Sequence, residues 1–346
     1  MARLTRAELF DPLEVSVMHC INRCVRRCFL CGEDPATGRN YEHRKVWLEE
    51  RLKFLAGQFG IDVLAFAIMS NHFHLVLRNR PDVVATWSDR EVARRWLHVC
   101  PVRKNNDGTP AEPSEPELNA ICNVPERLAE IRRRLSDISW FMRMISESIA
   151  RRANAEDETN GRFWQGRFKA VKLCDEAAIL ACSVYVDLNP IRAALAETLE
   201  ASEFTSAQRR IESLARNTAQ NVSTALPDSW LAPIDLQESR VAPGPQGSAS
   251  TRRASDKGFL PLTTLEYLAL VEWTGRQVVF GKSQIPAHLP PLLARLGIAA
   301  DDWLPLAQNF GKLFHRVAGS SPSLERLTRQ STRRYRRGQA QLLGSI

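Results

Sequence analysis

Two apolar runs separated by a polar pair constrain the fold of this chain more than any other feature. Residues 61–69 read IDVLAFAIM, Ser70 and Asn71 follow, and residues 72–78 read HFHLVLR. Apolar, β-prone runs on either side of a short polar turn are typical of a β-hairpin. We therefore predict two adjacent strands joined at Ser70 and Asn71.

The segments before this hairpin predict a strand and a helix. Residues 14–22 (EVSVMHCIN) alternate well enough for a strand. From His43 to Phe59 leucines recur on one helical face, and Gly60 is a natural stop. The predicted order is strand, helix, strand, strand.

The middle of the chain predicts a loop followed by helices. Residues 101–125 are rich in proline and polar residues, as in a loop or insertion. Apolar residues over 128–149 recur in steps of three and four, which predicts one long amphipathic helix. NGRFWQGRF (160–168) is typical of a turn-rich hairpin. A further helix is expected to begin near Asp175, an N-terminal cap, and to run to about Leu195.

Composition divides the chain into three predicted parts. Residues 217–258 are rich in serine, asparagine, glutamine, proline and glycine, which predicts a flexible linker. We expect a catalytic α+β domain over 1–216 and a mostly helical, basic domain over 259–346. In the latter, Thr263 and Glu266 predict a capping box for a helix that ends at Gly275.

The charge balance favours a polyanionic partner. The formal net charge is +8 and the isoelectric point about 9.3, which favours nucleic acid first and a membrane surface second. No apolar run has the length needed to span a bilayer, and the N-terminus lacks a secretory apolar region. We therefore expect a cytoplasmic, nucleoid-associated protein with no membrane partner.

Four of the eight cysteines, Cys20, Cys24, Cys28 and Cys31, lie close together. Thiolates suit zinc, so a structural zinc site is one interpretation. Only the last pair has CxxC spacing, however, and no second CxxC follows, which favours ordinary reduced thiols.

His72 and His74 predict half of a metal site. Side chains two apart on a strand share a face, so both imidazoles point the same way while Phe73, Leu75 and Leu77 face the core. Two imidazoles on one rigid face are suited to a divalent metal.

Tyr185 is the candidate nucleophile. It precedes the Asn189–Pro190 pair by one helical turn, so a phenol and an amide oxygen would project together. The alternative interpretation is an aromatic side chain that packs, half-buried, at a helix end. With a metal at His72 and His74 to polarise a phosphodiester and Asn189 to complete its shell, attack by Tyr185 would give a covalent phosphotyrosine.

Three motifs in order carry a family resemblance over roughly residues 14–200. MSNHFHLVL (69–77) resembles the HUH motif of single-tyrosine transposases. GRFWQGRF (161–168) followed by YVDLNPIRAAL (185–195) resembles the REP-associated tyrosine transposases and their relatives among the IS200-like insertion-sequence transposases.

This resemblance implies a fold, a site and a substrate. The fold would be a ferredoxin-like antiparallel sheet with backing helices. Tyr185 would be the nucleophile, and His72, His74 and Asn189 would hold a divalent metal, Mg²⁺ or Mn²⁺. The substrate would be single-stranded or hairpin DNA, cleaved to a 5′-phosphotyrosine and a free 3′-OH by a monomer or homodimer.

Several arginines are candidate phosphate contacts. For those on the predicted helix 128–149 and just beyond it, a solvated face and a DNA-contacting face are both open interpretations. The candidate DNA-binding residues elsewhere are Arg23, Arg26, Arg162, Arg167, Arg333 and Arg334, the last two in a basic C-terminal tract.

Two other functions compete with the transposase-like one. The first is a DNA-binding regulator that descends from a transposase and has lost its activity. The second is a metal phosphoesterase that uses water, with Tyr185 only positioning the substrate. A covalent protein–DNA adduct separates the first interpretation from both of these.

Overall fold

A five-stranded sheet lies at the centre of the structure. The computed structural model describes residue 11 and residues 13–25, 30–33, 38–218, 225–236, 245–280 and 289–330. The strands are β1 (Val17–Arg23), β2 (Ile61–Ile68), β3 (His72–Asn79), β4 (Lys169–Leu173) and β5 (Val317–Ala318). Their order is β2-β3-β1-β4-β5; the first three pairs are antiparallel and the short β4–β5 pair is parallel. The predicted hairpin is confirmed as β2 and β3.

Helices cover the sheet on both faces. They are α1 (His43–Gln58), α2 (Pro81–Ala85), α3 (Asp89–Val99), α4 (Glu115–Cys122), α5 (Pro125–Leu135), α6 (Ile138–Glu156), α7 (Glu176–Asp187), α8 (Asn189–Arg192), α9 (Ser206–Thr218), α10 (Thr264–Phe280), α11 (Leu289–Arg295), α12 (Ala300–Leu313) and α13 (Ser321–Gln330). Within the described part of the chain, none of them is both long and apolar enough to cross a membrane.

The two faces of the sheet are buried in two separate apolar clusters. Phe73 and Leu75 of β3 face the cluster built with α1, α3, α5 and α6. Val76 faces the other cluster, built with α7, α10 and α12. Because both faces are covered, β2 reads as a continuous apolar run rather than an alternating one. The histidines of β3 share the face of Val76, so they lie under helices rather than on an open surface.

The helix predicted over 128–149 is two helices, α5 and α6. Its apolar stripe is buried as expected, but the chain turns at Ser136 and Asp137. The Asp137 carboxylate accepts a hydrogen bond from the Ser139 amide at 2.6 Å and caps α6. The predicted loop 101–125 is partly wrong as well, since it contains α4 behind a capping box.

The segment that carries Tyr185 begins as predicted and ends earlier. Asp175 caps α7 by accepting from the Ala178 amide at 2.9 Å. The helix ends at Asp187, and α8 follows in place of a continuous helix to Leu195.

Residues 160–168 extend the sheet instead of forming a hairpin of their own. The Val25 amide donates to the Phe163 carbonyl at 2.8 Å, and the Gln165 amide donates to the Arg23 carbonyl at 2.9 Å. The segment therefore pairs with the end of β1 and leads into β4, a strand that the sequence did not predict.

The described parts of the expected linker, 225–236 and 245–258, are packed. Trp230 is buried, and Ser255 is fully buried where its amide donates to the Asp62 carboxylate at 3.0 Å. The C-terminal region adds β5 to the same sheet. The three-part division at 216 and 258 stays a prediction.

In the C-terminal region the capping box is confirmed and the helix end is wrong. The Thr263 amide donates to Glu266 at 2.8 Å, and the Glu266 amide donates to the Thr263 hydroxyl at 3.2 Å. Helix α10 continues past Gly275 to Phe280. A Cβ built on Gly275 would lie 3.0 Å from a methyl carbon of Leu188, so this glycine permits close packing of α10 on α8.

Candidate active site

Strand β3 places His72 and His74 on one face, as predicted. Their ring centroids are 4.8 Å apart. His74 lies inside the sheet, 3% exposed, while His72 begins the strand and is half-buried. The pair register sets His74 opposite Ile21 and His72 opposite Arg23 of β1.

A third imidazole, that of His19, joins this pair. His19 Nε2 lies 2.9 Å from His74 Nδ1, and the two rings are stacked with centroids 5.2 Å apart. Sequence reasoning missed His19, although it lies in the strand predicted over residues 14–22. The hydropathy pattern marks a strand but does not tell which strand will be its neighbour.

The hydrogen bonds of the histidines limit their tautomers. His72 Nδ1 lies 2.6 Å from the side-chain oxygen of Asn71. A carbonyl oxygen only accepts, so Nδ1 of His72 carries the proton and Nε2 keeps its lone pair. The bond between His19 and His74 leaves two tautomer arrangements, one with the proton on each residue.

Burial keeps these imidazoles neutral. It lowers the pKa of His19 to about 3. Burial and the nearby Arg23 lower the pKa of His72 to about 4, and burial with neighbouring cations lowers the pKa of His74 well below its usual range. A neutral imidazole is the form that binds a metal.

Tyr185 of α7 lies beside the histidines. Its ring centroid is 5.9 Å from that of His74 and 6.1 Å from that of His19, edge-on in both cases. The structure therefore brings together His72, His74 and Tyr185, although Tyr185 is more than 100 residues from the histidines in the chain.

Helix α12 also contacts Tyr185. The Phe310 ring lies 6.0 Å from the Tyr185 ring and 6.3 Å from His19. A Cβ built on Gly311 would lie only 2.5 Å from the Tyr185 hydroxyl oxygen. The hydroxyl is therefore directed at the backbone of α12, in space that any side chain at Gly311 would fill.

Asn189 follows Tyr185 by one turn, at the start of α8. Its side chain is buried, and its amide nitrogen has no hydrogen-bond partner among the described residues. Within the described ranges no three histidine, cysteine, aspartate or glutamate side chains are grouped as a metal site requires. A third ligand beside His72 and His74 would have to be of another type, which an asparagine carbonyl oxygen satisfies.

A buried carboxylate between Tyr185 and Asn189 fixes the end of α7. Asp187 accepts hydrogen bonds from the Tyr267 hydroxyl at 2.6 Å and from the Ser206 hydroxyl. These bonds tie α7 to α9 and α10 and thereby hold Tyr185 in place. Burial raises the pKa of Asp187.

Two arginines bring positive charge to the site. The Arg192 guanidinium lies over the Tyr185 ring, 4.7 Å from its centroid. Arg23 stands opposite His72 at the end of β1. Arg192 was not predicted, although its spacing of seven residues from Tyr185 is two helical turns.

The other candidate DNA contacts divide into three groups. Arg23, Arg162 and Arg167 are exposed at the His72 end of the sheet and, within the described ranges, form no ion pair. Arg26, Arg333 and Arg334 lie outside the described residues. Most of the arginines on α5 and α6 are paired with carboxylates, which favours the solvated-face interpretation for those helices.

The cysteines resemble core residues more than a zinc site. Cys20, Cys24 and Cys31 are buried in the core, and Cys28 lies outside the described residues. Burial raises the pKa of Cys31, which disfavours the thiolate that zinc requires. No metal cluster forms among the described members.

Comparison with known proteins adds little. No protein-family model matches the chain, and no curated protein does. One solved structure, described as a REP-associated tyrosine transposase bound to a REP hairpin, aligns with 63% of this chain and 87% of its own. The identity is 11% and the TM-score 0.36, a likeness too low to establish fold or function.

Proposed function

We propose that this chain is a metal-dependent DNA nuclease and strand transferase that acts on single-stranded or hairpin-flanked DNA through Tyr185. The observation that carries the proposal is the grouping of Tyr185 with His72 and His74 on one face of β3. The antiparallel order β2-β3-β1-β4 supports the ferredoxin-like arrangement that the sequence resemblance implies.

Three side chains would supply the donors for a divalent metal. His72 and His74 would hold Mg²⁺ or Mn²⁺ through ring nitrogens, with the Asn189 carbonyl oxygen as a third ligand. When bound, such a metal stabilises the negative charge that develops on a phosphate under attack. Arg192 over the Tyr185 ring and Arg23 opposite His72 add positive charge near the histidine pair.

Tyr185 supplies the covalent chemistry. Its hydroxyl loses its proton to solvent and its oxygen forms a bond to phosphorus, while the bond from phosphorus to the 3′ oxygen breaks. The departing 3′ oxygen takes up a proton, which leaves a free 3′-OH and a 5′-phosphotyrosine. The same step in reverse, with another 3′-OH, joins strands without ATP.

A second candidate is hydrolysis by water, with Tyr185 only positioning the substrate. The contact between the Tyr185 hydroxyl and Gly311 favours it, because the phenol oxygen is occupied by α12 in this conformation. The first candidate requires Tyr185 or α12 to move before attack.

A denaturing gel of the protein with single-stranded DNA labelled at its 3′ end separates the two. With Mg²⁺ or Mn²⁺, the proposal expects labelled protein, because the fragment that carries the 5′-phosphotyrosine keeps the label. Tyr185→Phe should lose adduct and cleavage together, whereas the control Tyr41→Phe should keep both. Cleavage without any adduct would establish water as the attacker.

The same assay tests the metal ligands and the inactive-regulator alternative. His72→Ala and His74→Ala should abolish cleavage and spare most DNA binding, because phosphate contacts supply most of the affinity. Normal cleavage by either variant would show that the substituted histidine is not an essential metal ligand. Wild-type protein that binds DNA but neither cuts nor forms an adduct with either metal would identify a regulator.

A further inference from the structure

We infer that His19 is a positioning residue for the metal site. In this inference His19 Nε2 accepts a hydrogen bond from the Nδ1–H of His74, and this leaves the lone pair of His74 Nε2 free for a metal. The inference rests on the proposed function, and it assigns a role to a residue that the three sequence motifs do not include.

The contact between the two rings is close and dry. The nitrogens lie 2.9 Å apart, with His19 1% and His74 3% exposed. The stacked rings are tilted by only 16°. Since both residues are shielded from solvent, water has little access to replace the bond if the partner nitrogen is removed.

Only one of the two tautomer arrangements suits a metal ligand. If His19 donates, His74 accepts at Nδ1 and carries its proton on Nε2, where no metal can then bind. If His74 donates, its Nε2 keeps the lone pair and His19 carries its proton on Nδ1. Binding of a metal at His74 Nε2 therefore requires the proton of His74 on Nδ1, and an acceptor at His19 Nε2 stabilises that tautomer.

The proposed ligand His72 is also oriented by a hydrogen bond from its Nδ1, in this case to Asn71. His72 donates from Nδ1 to the Asn71 carbonyl oxygen at 2.6 Å, so its Nε2 is already the free nitrogen. With His74 oriented by His19, both imidazoles would offer Nε2.

Leucine is close to histidine in volume, and the aromatic neighbours of His19 can accommodate an apolar side chain. Tyr185 and Phe310 contact its ring edge-on. His19→Leu fills the space and removes the acceptor. His19→Gln keeps a side-chain oxygen that can accept a hydrogen bond from His74.

The experiment measures Mn²⁺ affinity without DNA, from the electron paramagnetic resonance signal of free Mn²⁺. Loss of a partner behind a metal ligand typically costs about 10- to 100-fold in metal affinity. We expect a weakening of this size in His19→Leu and substantial recovery in His19→Gln. Phe310→Leu changes a ring that contacts His19 without removing a hydrogen bond, so this control should bind Mn²⁺ as the wild type does.

Each other outcome has a distinct meaning. Wild-type affinity in His19→Leu overturns the inference, and so does equal weakening in both His19 variants when both remain folded. His72→Ala separates this failure from failure of the proposed function: if His72→Ala also binds Mn²⁺ normally, the metal site itself is wrong.

If His19→Leu does not fold, the wild-type protein still provides a test. Two-bond proton–nitrogen correlations of ¹⁵N-histidine-labelled protein report the tautomer of His74 with saturating Mg²⁺. The inference expects the proton on Nδ1. A proton on Nε2 would overturn it.

Discussion

His19, His72 and His74 form a cluster of imidazoles in which His19 and His74 are buried and His72 is half-buried. The cluster lies on the sheet face that α7 and α12 cover, with Tyr185 at its edge. The proposed metal binding needs neutral imidazoles, and burial, with nearby positive charge at His72 and His74, lowers the pKa of each of them. The same burial couples the cluster to the stability of the protein.

Stability should therefore depend on pH through these histidines. The pKa of His19 is lowered to about 3 and that of His72 to about 4, from an ordinary value of 6.5 in the unfolded chain. At a pH between the folded and unfolded pKa values, the unfolded state binds more protons than the folded state. The contribution of these histidines to the free energy of unfolding is therefore fully present above pH 6.5 and is lost as the pH falls toward 4. Each histidine contributes up to about 1.4 kcal/mol per pH unit in that window.

Urea unfolding in EDTA at several pH values between 7.5 and 4.5 measures this loss. His19→Gln should lose stability less steeply, because one of the perturbed groups is gone. An equal slope in wild type and variant would contradict the assignment for His19.

The sequence predicted part of this site and missed the rest for a physical reason. His72, His74 and Tyr185 could be found because strand alternation and a motif mark them locally. His19 and Arg192 join the site through contacts with His74 and Tyr185, and only the folded chain brings these residues together. His19 meets His74 because β1 pairs with β3, and strand pairing is a long-range choice that no local pattern encodes.

At the scale of elements, the contact between α7 and α12 controls how Tyr185 is held. The absence of a side chain at Gly311 lets the two helices approach at the Tyr185 hydroxyl. Phe310 adds an aromatic contact one residue earlier. The position of the candidate nucleophile thus depends on a helix far along the chain.

Gly311→Ala should destabilise the protein in a way that depends on the Tyr185 hydroxyl. The new Cβ would lie 2.5 Å from that oxygen and 3.0 Å from the ring carbon that bears it. Overpacking of this kind costs about 1–3 kcal/mol. Unfolding measurements on a double-mutant cycle with Tyr185→Phe should show a smaller cost in the phenylalanine background. An equal cost in both backgrounds would show that the destabilisation does not come from contact with the Tyr185 hydroxyl.

Helix boundaries show where local patterns are insufficient. The apolar stripe from Leu128 to Ile149 is continuous, yet helix α5 ends at Leu135. The Asp137 side chain caps the start of α6, and this cap competes with continuation of α5. At Gly275 the opposite error arises: a residue typical of helix ends lies inside α10, where a Cβ would lie 3.0 Å from a methyl carbon of Leu188. Tertiary contacts decide both cases.

At the scale of the whole molecule, Asp62 joins the segment 245–258 to the sheet. It is fully buried and accepts from the Ser255 amide and hydroxyl and from the Arg78 guanidinium at 2.7 Å. Arg80 lies 3.5 Å from the same carboxylate. Residues expected to be linker are thus fixed by a buried charge network.

Asp62→Ala should be strongly destabilising. Removing one partner of a buried ion pair typically costs about 3–5 kcal/mol, because the remaining charge is left uncompensated. Glu115→Ala is the control: Glu115 pairs with Arg90, and the two side chains are 67% and 50% exposed, so a much smaller loss is expected. Urea unfolding measures both, and equal losses would contradict the importance of burial at Asp62.

DNA binding should depend on the exposed arginines at one end of the sheet. Replacing Arg23, Arg162 or Arg167 by glutamine should reduce the log–log salt slope of single-strand binding by about 0.7 for each phosphate that the protein no longer neutralises. Arg90 is exposed but paired with Glu115, so Arg90→Gln should leave the slope unchanged. Equal slopes in all variants would show that these three arginines do not contact DNA phosphates.

The covering of both sheet faces determines how a polynucleotide can approach. A strand cannot lie flat across this sheet, because helices occupy both sides. The more open histidine, His72, begins β3 beside Arg23, so under the proposed function a DNA strand would approach at the end of β3. The scissile nucleotide would then have to leave its stacked neighbours and enter alone, which costs a few kcal/mol in a regular duplex and much less where stacking is already broken. Selection of hairpin flanks and single strands would follow from the cost of unstacking a nucleotide, with no need to read its base.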